Sequence, residues 1–213
     1  MKNCYIVLEG MEKSGKTTAT NTVYNILKKI GIKSIHCIRE PGSTKLGETI
    51  RNLIKFGIKN EKIVAQAELF MMYAARAQLV EQVINPLLKK GYWIISDRNE
   101  ISSQAYQGAG RNIDLRFILN LKKHVLKKIR PDLIIYLDIT PELCLKRINI
   151  NKNIDIFEKE SINFFYRIYN FYIKLTKKEK NIIKIDANQP LKKVNTDIKN
   201  ILLNWINILK NKK

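Results

Sequence analysis

Acidic residues are scarce in this chain of 213 residues: 19 Asp+Glu face 39 Lys+Arg, for a net charge of +20. A surplus of that size brings polyanionic ligands into consideration, whether nucleotide, nucleic acid or membrane surface, without choosing among them. It also has a second source. The sequence holds 30 Lys, 34 Ile and 21 Asn, all with A/T-rich codons, so a biased genome accumulates lysine without selection for binding. Cysteine is scarce too. Cys4, Cys37 and Cys144 are odd in number, widely spaced and set among apolar residues. That excludes a disulfide scaffold and a zinc cluster and fits reduced thiols in a cytoplasmic core. His36 and His124 lack metal-like spacing and read as structural. No apolar run approaches the ~18 residues of a membrane span. Residues 1–8 lack the apolar stretch of a secretion signal, so a cytoplasmic protein is expected. A hydrophobic content of 45% with 27% charged residues excludes a fibre or a disordered tail and suits one α/β domain with a full core.

Apolar strand-like runs alternate with helix-period stretches. The strands are expected at Tyr5 to Leu8, Ser34 to Ile38, Trp93 to Ser96, Leu133 to Leu137 and Ile182 to Ile185. Helices are expected at Lys16 to Ile30, near Leu46 to Phe56, at Ala65 to Lys90 with a bend near Pro86, and at Asp114 to Lys128. Others start at Thr140-Pro141-Glu142, at about Phe157 and at Pro190. Val194, Ile198, Ile201, Leu202, Trp205 and Ile208 give the last helix a packing stripe. The alternation implies a three-layer, doubly wound, five-stranded parallel sheet. No repeat, linker or composition break divides residues 1–213, which read as a single domain.

The strongest chemical signal is Gly10-Met11-Glu12-Lys13-Ser14-Gly15-Lys16-Thr17, a G-x-x-x-x-G-K-[ST] loop between an expected strand and an expected helix. Gly10 and Gly15 let the backbone curl so that successive N–H groups point inward, and the next helix adds its positive end. Lys16 reaches the β- and γ-phosphates of ATP, and Thr17 offers its hydroxyl to Mg²⁺. Thr18 extends the loop into the helix. Arg39 and Arg98 follow the second and third strands, at the carboxyl edge where open α/β sheets bind ligands.

Four further segments accompany this loop: Arg39-Glu40-Pro41-Gly42; Tyr73-Ala74-Ala75-Arg76; Asp97-Arg98 with Ser102 to Gly108; and Asp155 with Glu158 and Arg167. In order and spacing the chain resembles the thymidylate kinases, above all their bacterial branch, from about Tyr5 to Ile208. The resemblance implies phosphoryl transfer from ATP to dTMP, with Mg²⁺, in a homodimer. It implies that Arg98 contacts the dTMP phosphate, that Asp97 organises Mg²⁺ and the transferring group, and that Glu12 faces the sugar 3′-hydroxyl and the acceptor phosphate. Arg76 and Ser103 would meet the thymine, and Tyr106 would exclude a ribose 2′-hydroxyl. Tyr73 reads as core packing.

Two positions depart from the family. Met72 stands where a stacking phenylalanine is usual, which predicts weaker or less selective base binding, although a thioether packs on rings. The lid, expected at residues 148–155 and closing over ATP, lacks the family's arginines: from Arg147 to Ile156 only Arg147 and Lys152 are cationic. Lys13, inside the phosphate loop, is expected to replace them in part, helped by Lys152. Two rival readings remain at this stage. One is a kinase for another pyrimidine nucleotide or nucleoside. The other is a basic nucleic-acid-binding P-loop protein with degenerate kinase activity, although the basic residues are not clustered with aromatics as a stacking platform needs.

Overall fold

The computed structural model describes residues 3–149 and 155–211. Five strands form its sheet: β1 (Tyr5–Glu9), β2 (Ile35–Arg39), β3 (Trp93–Asp97), β4 (Leu133–Asp138) and β5 (Ile182–Asp186). Their spatial order is β2-β3-β1-β4-β5 and every pairing is parallel. Parallel neighbours require crossovers, and helices supply them. α1 (Lys16–Lys29) joins β1 to β2. α2 (Lys45–Phe56), α3 (Ala65–Leu79) and α4 (Asn85–Lys89) lie between β2 and β3. α5 (Glu100–Ser103) and α6 (Leu115–Leu126) precede β4, α7 (Pro141–Asn149) and α8 (Ile162–Lys178) precede β5, and α9 (Leu191–Asn211) follows it.

The central strands are covered on both faces, which is why they read as apolar runs rather than alternating ones. Ile6, Val7, Leu8, Ile94, Ile95, Ile135 and Leu137 have no exposed surface. Burying each such side chain is worth about 1.5–3 kcal/mol. β2 is an edge strand, paired only with β3, and this corrects the expectation for Cys37: its thiol is exposed, whereas Cys4 and Cys144 are buried. In α9 the buried stripe is Val194, Ile198, Leu202 and Ile206, and Ile208 faces solvent. Trp205 packs edge-on to Trp93 at 6.3 Å.

Three elements differ from the sequence reading. The long helix expected at residues 65–90 passes through a π-helical turn at Val80–Ile84 before α4. Pro86, near the start of α4, has no N–H to continue the regular ladder, and the wider turn absorbs the mismatch. The helix expected from Phe157 begins at Ile162, after a single 3₁₀ turn at Phe157–Lys159. No element was expected at residues 100–110, where glycines and serines depress helix propensity. There α5 runs into a π-helical turn at Gln104–Gly110. Packing selects Gly110, because a Cβ would stand 2.5 Å from Phe164 Cε2. Lys152 and most of the expected lid lie outside the described residues.

Candidate active site

The chain leaves β1 for β2 on one side and later crosses from β3 to β4 on the other, so the carboxyl ends of β1 and β3 border a crevice. The glycine-rich loop opens there. Gly10 has φ 148°, and a Cβ on it would approach Leu137 O to 2.8 Å and Ser14 Oγ to 2.7 Å. Gly15, at φ 96°, caps α1. The Lys16 ammonium is folded onto its own loop, donating to Gly10 O at 3.1 Å, Met11 O at 2.7 Å and Ser14 Oγ at 3.4 Å. Burial, then the charge of Arg98, pushes its pKa down to about 8. Met11 and Ser14 are buried, so Met11 serves the loop through its carbonyl. Two side chains brace the loop from outside. The Cys144 thiol donates to Glu12 O at 3.1 Å. Arg147 donates to Lys13 O and to Ala187 O, both at 3.1 Å, tying the loop to the turn after β5.

The turn after β3 carries the next group. Thr17 Oγ1 donates to Asp97 Oδ2 at 3.0 Å, so a hydroxyl and a carboxylate converge at the mouth of the loop. Arg98 adopts φ 72°, a left-handed conformation unfavourable for a residue with a Cβ. It aims its guanidinium at Gly10 O (2.9 Å), Ser102 Oγ (3.1 Å) and Glu12 Oε1 (2.7 Å). The Tyr106 hydroxyl bonds the other Glu12 oxygen, and Arg98 lies 5.0 Å from the Tyr106 ring centroid. Beneath the turn is Glu9, with no exposed surface. Its carboxylate accepts from Asn99 N and Ser102 Oγ at 2.8 Å and from Tyr172 OH at 2.7 Å. Burial pushes its pKa up, while Arg98 and these donors pull it back.

At the far end Arg76 is buried with Glu40, Nε to Oε2 at 2.7 Å, each side chain 3% exposed. Its Nη2 donates to Ser103 Oγ at 3.1 Å, and its guanidinium lies 4.7 Å from the Tyr73 ring centroid. Tyr73 itself is core, its hydroxyl bonded to Ile118 O. Gln107 Nε2 donates to Glu68 Oε1 at 2.8 Å, which turns the amide oxygen the other way. Arg76 Nη1 and Gln107 Oε1 are both buried and unpaired, one a donor and the other an acceptor. Both residues line a continuous cavity of about 570 Å³. It runs from Lys13, Lys16 and Thr17 past Asp97 and Arg98 to Arg51, Met72, Ser103 and Tyr106. Burial, then the charges of Arg39 and Arg98, pushes the Arg51 pKa down. Arg39 lines the same wall, its guanidinium paired with Glu48 at 2.7 Å.

A family model described as thymidylate kinase matches residues 8–198. The chain belongs to the thymidylate kinase family. The crystal structure of thymidylate kinase from Ehrlichia chaffeensis superposes with a TM-score of 0.75 at 25% identity, over 95% of this chain and 99% of that one.

Of the residues singled out in the sequence as thymidylate kinase-like, Glu12, Lys13, Lys16, Thr17, Arg39, Met72, Arg76, Asp97, Arg98, Ser103 and Tyr106 line the one cavity. Thr18 and Arg147 are not among its lining residues. Thr18 is exposed on α1 with its carbonyl bonded by Thr22, and Arg147 acts on the loop backbone. The sequence reading missed Glu9, Arg51 and Gln107 as site residues. Arg51 stands on α2, with no motif around it. Gln107 lies within a quoted segment, but only its bond to Glu68 shows which way its oxygen faces. Glu9 could have been suspected from a carboxylate ending an apolar strand beside a phosphate loop.

Proposed function

We propose that ATP binds with its phosphates in the Gly10 to Thr18 loop and dTMP binds in the Arg51 to Gln107 end of the cavity, with Asp97 and Arg98 between them. Phosphorylation of dTMP is the activity of the family to which the chain belongs. The observation that carries the assignment of sites is the single cavity joining a phosphate loop to an unpaired donor and acceptor pair, Arg76 Nη1 and Gln107 Oε1. A thymine edge presents carbonyl oxygens and an N–H, the complement of that pair. Met72 supplies an apolar wall for the ring, and Tyr106 closes the sugar side.

Phosphoryl transfer needs two anions brought in line and their charge neutralised, and it asks little covalent chemistry of the protein. Arg39, Arg51 and Arg98 surround the acceptor phosphate, whose oxyanion needs no general base. Lys16 and Lys13 serve the donor, and Arg147 orders the loop that holds it. Glu12 holds Arg98 and Tyr106 in place from the phosphate loop. The donor set at Thr17 and Asp97 fits Mg²⁺. Among the described residues no group of three or more acidic, His or Cys side chains gathers for a metal, so two hard oxygens would be completed by phosphate and water, as Mg²⁺ prefers. When bound, the ion would neutralise charge on the triphosphate.

The residue 148–155 lid would close over this site and exclude water, which suppresses ATP hydrolysis. The buried thiols of Cys4 and Cys144 support the cytoplasmic expectation. For the homodimer, the supporting surface is Phe70 of α3 against Phe117 of α6, edge-on at 6.1 Å and 51% and 41% exposed. A Phe117→Glu variant that sediments as a monomer beside a dimeric parent would support that face. The deciding experiment is an ATP-coupled assay on dTMP, dUMP and thymidine, with the products dTDP, dUDP and dTMP resolved by chromatography. Turnover on dUMP or thymidine exceeding that on dTMP would overturn the acceptor assignment.

A further inference from the structure

Asp155, the last residue of the expected lid, and Glu158, just beyond it, take no part in the chemistry derived above, yet both are nearly buried and both line the cavity. They cap each other reciprocally. Asp155 N donates to Glu158 Oε2 at 3.2 Å, and Glu158 N donates to Asp155 Oδ1 at 3.0 Å. The remaining carboxylate oxygens each take a lysine. Glu158 Oε1 is 2.8 Å from the ammonium of Lys13 in the phosphate loop. Asp155 Oδ2 is 3.3 Å from that of Lys55 at the end of α2. The backbone reinforces the second link, with Ile156 N donating to Lys55 O at 3.0 Å. Phe157, between the two acids, packs edge-on to Tyr106 at 5.5 Å.

We propose that Glu158 is the positioning residue for Lys13, holding its ammonium at the mouth of the phosphate loop while the Lys55–Asp155 pair anchors Glu158 from α2. The geometry favours positioning over simple surface pairing. Glu158 is 6% exposed and fixed by its own backbone bond, whereas Lys13 is 31% exposed and sits at φ 54°. The rigid partner is therefore the acid, and the long flexible one is the lysine. A lysine ammonium has three donors, so it can keep Glu158 on one and offer the others to an arriving phosphate. Fixing it beforehand removes the rotamer entropy that a free lysine would lose on engaging the charge that develops on the transferring phosphoryl group. Glu158 acts through Lys13 and does not touch the nucleotide; its own charge opposes ATP. Its removal accordingly lowers turnover without weakening ATP binding.

This inference rests on the assignment of the loop end of the cavity to ATP. The test is a double-mutant cycle on the full chain: wild type, Lys13→Ala, Glu158→Gln and the double variant, with kcat and both KM values measured for dTMP phosphorylation. A charge-assisted contact of this kind predicts that Lys13→Ala lowers kcat about tenfold or more. Glu158→Gln should lower kcat several-fold with the KM for ATP unchanged or reduced. In the Lys13→Ala background, Glu158→Gln should have no further effect. Independent, multiplying losses in the double variant would overturn the proposal, as would an ATP KM that rises on Glu158→Gln. A thermal melt of each variant identifies unfolding. If Glu158→Gln does not fold, Asp155→Asn, which removes the anchor but leaves Glu158, must reproduce the fall in kcat or the proposal fails. A wild-type chain that made no dTDP would instead overturn the functional assignment.

Discussion

Under the proposed placement of ATP in the phosphate loop, Lys16 should make ATP binding a proton-uptake reaction near neutral pH. Its ammonium is buried against Gly10 O and Met11 O with Arg98 nearby, and these surroundings bring its pKa down to about 8 from 10.5. Phosphate oxygens reverse both causes, replacing a poorly solvated site with a polyanion, so the bound complex holds the charged form. With that value, about half of the free protein would carry a neutral Lys16 at pH 8. Binding should therefore take up about half a proton per ATP at pH 8, about 0.1 at pH 7 and about 0.9 at pH 9. The sign follows from the lowered value: affinity is at its full level below the depressed pKa and falls as pH rises through it. Between pH 7 and pH 9 the loss should be about tenfold, or ~1.4 kcal/mol. Calorimetry in two buffers of different ionisation enthalpy measures the uptake directly. A flat affinity over that range with no proton uptake at pH 8 would refute the account of Lys16.

Arg76→Met should destabilise the fold by about 3–5 kcal/mol in denaturant at neutral pH, because it strands Glu40 in a site 3% exposed. Adding Glu40→Gln should recover part of that loss, and a double variant less stable than the single one would contradict the pairing. Gln107→Leu should raise the KM for dTMP about tenfold and leave that for ATP unchanged, the expected loss for one buried hydrogen bond. Equal effects on both substrates would remove Gln107 from the base site. Met72→Phe should tighten dTMP by about 0.5–1.5 kcal/mol through ring stacking, and an unchanged dTMP affinity would refute the reading of Met72. Gly110→Ala should cost about 1–3 kcal/mol in thermal or denaturant unfolding, since Phe164 fills the space its methyl would need.

The strands and most helices were legible because a parallel sheet buried on both faces writes itself as short apolar runs between 3.6-period stretches. The phosphate loop was legible for a different reason: its backbone geometry admits glycine at Gly10 and little else. Residues 100–110 were not legible, because Gly108 and Gly110 weaken helix propensity while packing against Ile118 and Phe164 imposes a helical path. Cys37 was misplaced because nothing in a five-residue run tells an edge strand from a central one. The site was half legible. Arg39, Arg76 and Arg98 stood in recognisable segments, whereas Arg51 and Gln107 acquire meaning only from where α2 and the turn after α5 place them. Glu158 was quoted, but its bond to Lys13 spans 145 positions of sequence and is visible only in the fold.

Glu9 joins three distant parts of the chain: its own strand, the turn around Asn99 and Ser102, and Tyr172 of α8, which is 163 positions away. The turn that follows Arg98 is therefore tied, through one buried carboxylate, to a helix the chain reaches only near its end. Loop closure over such a span is slow and comes after local helix formation. A chain cut before Tyr172 would lose one of the three donors to Glu9, and with it a brace of the turn beneath the site.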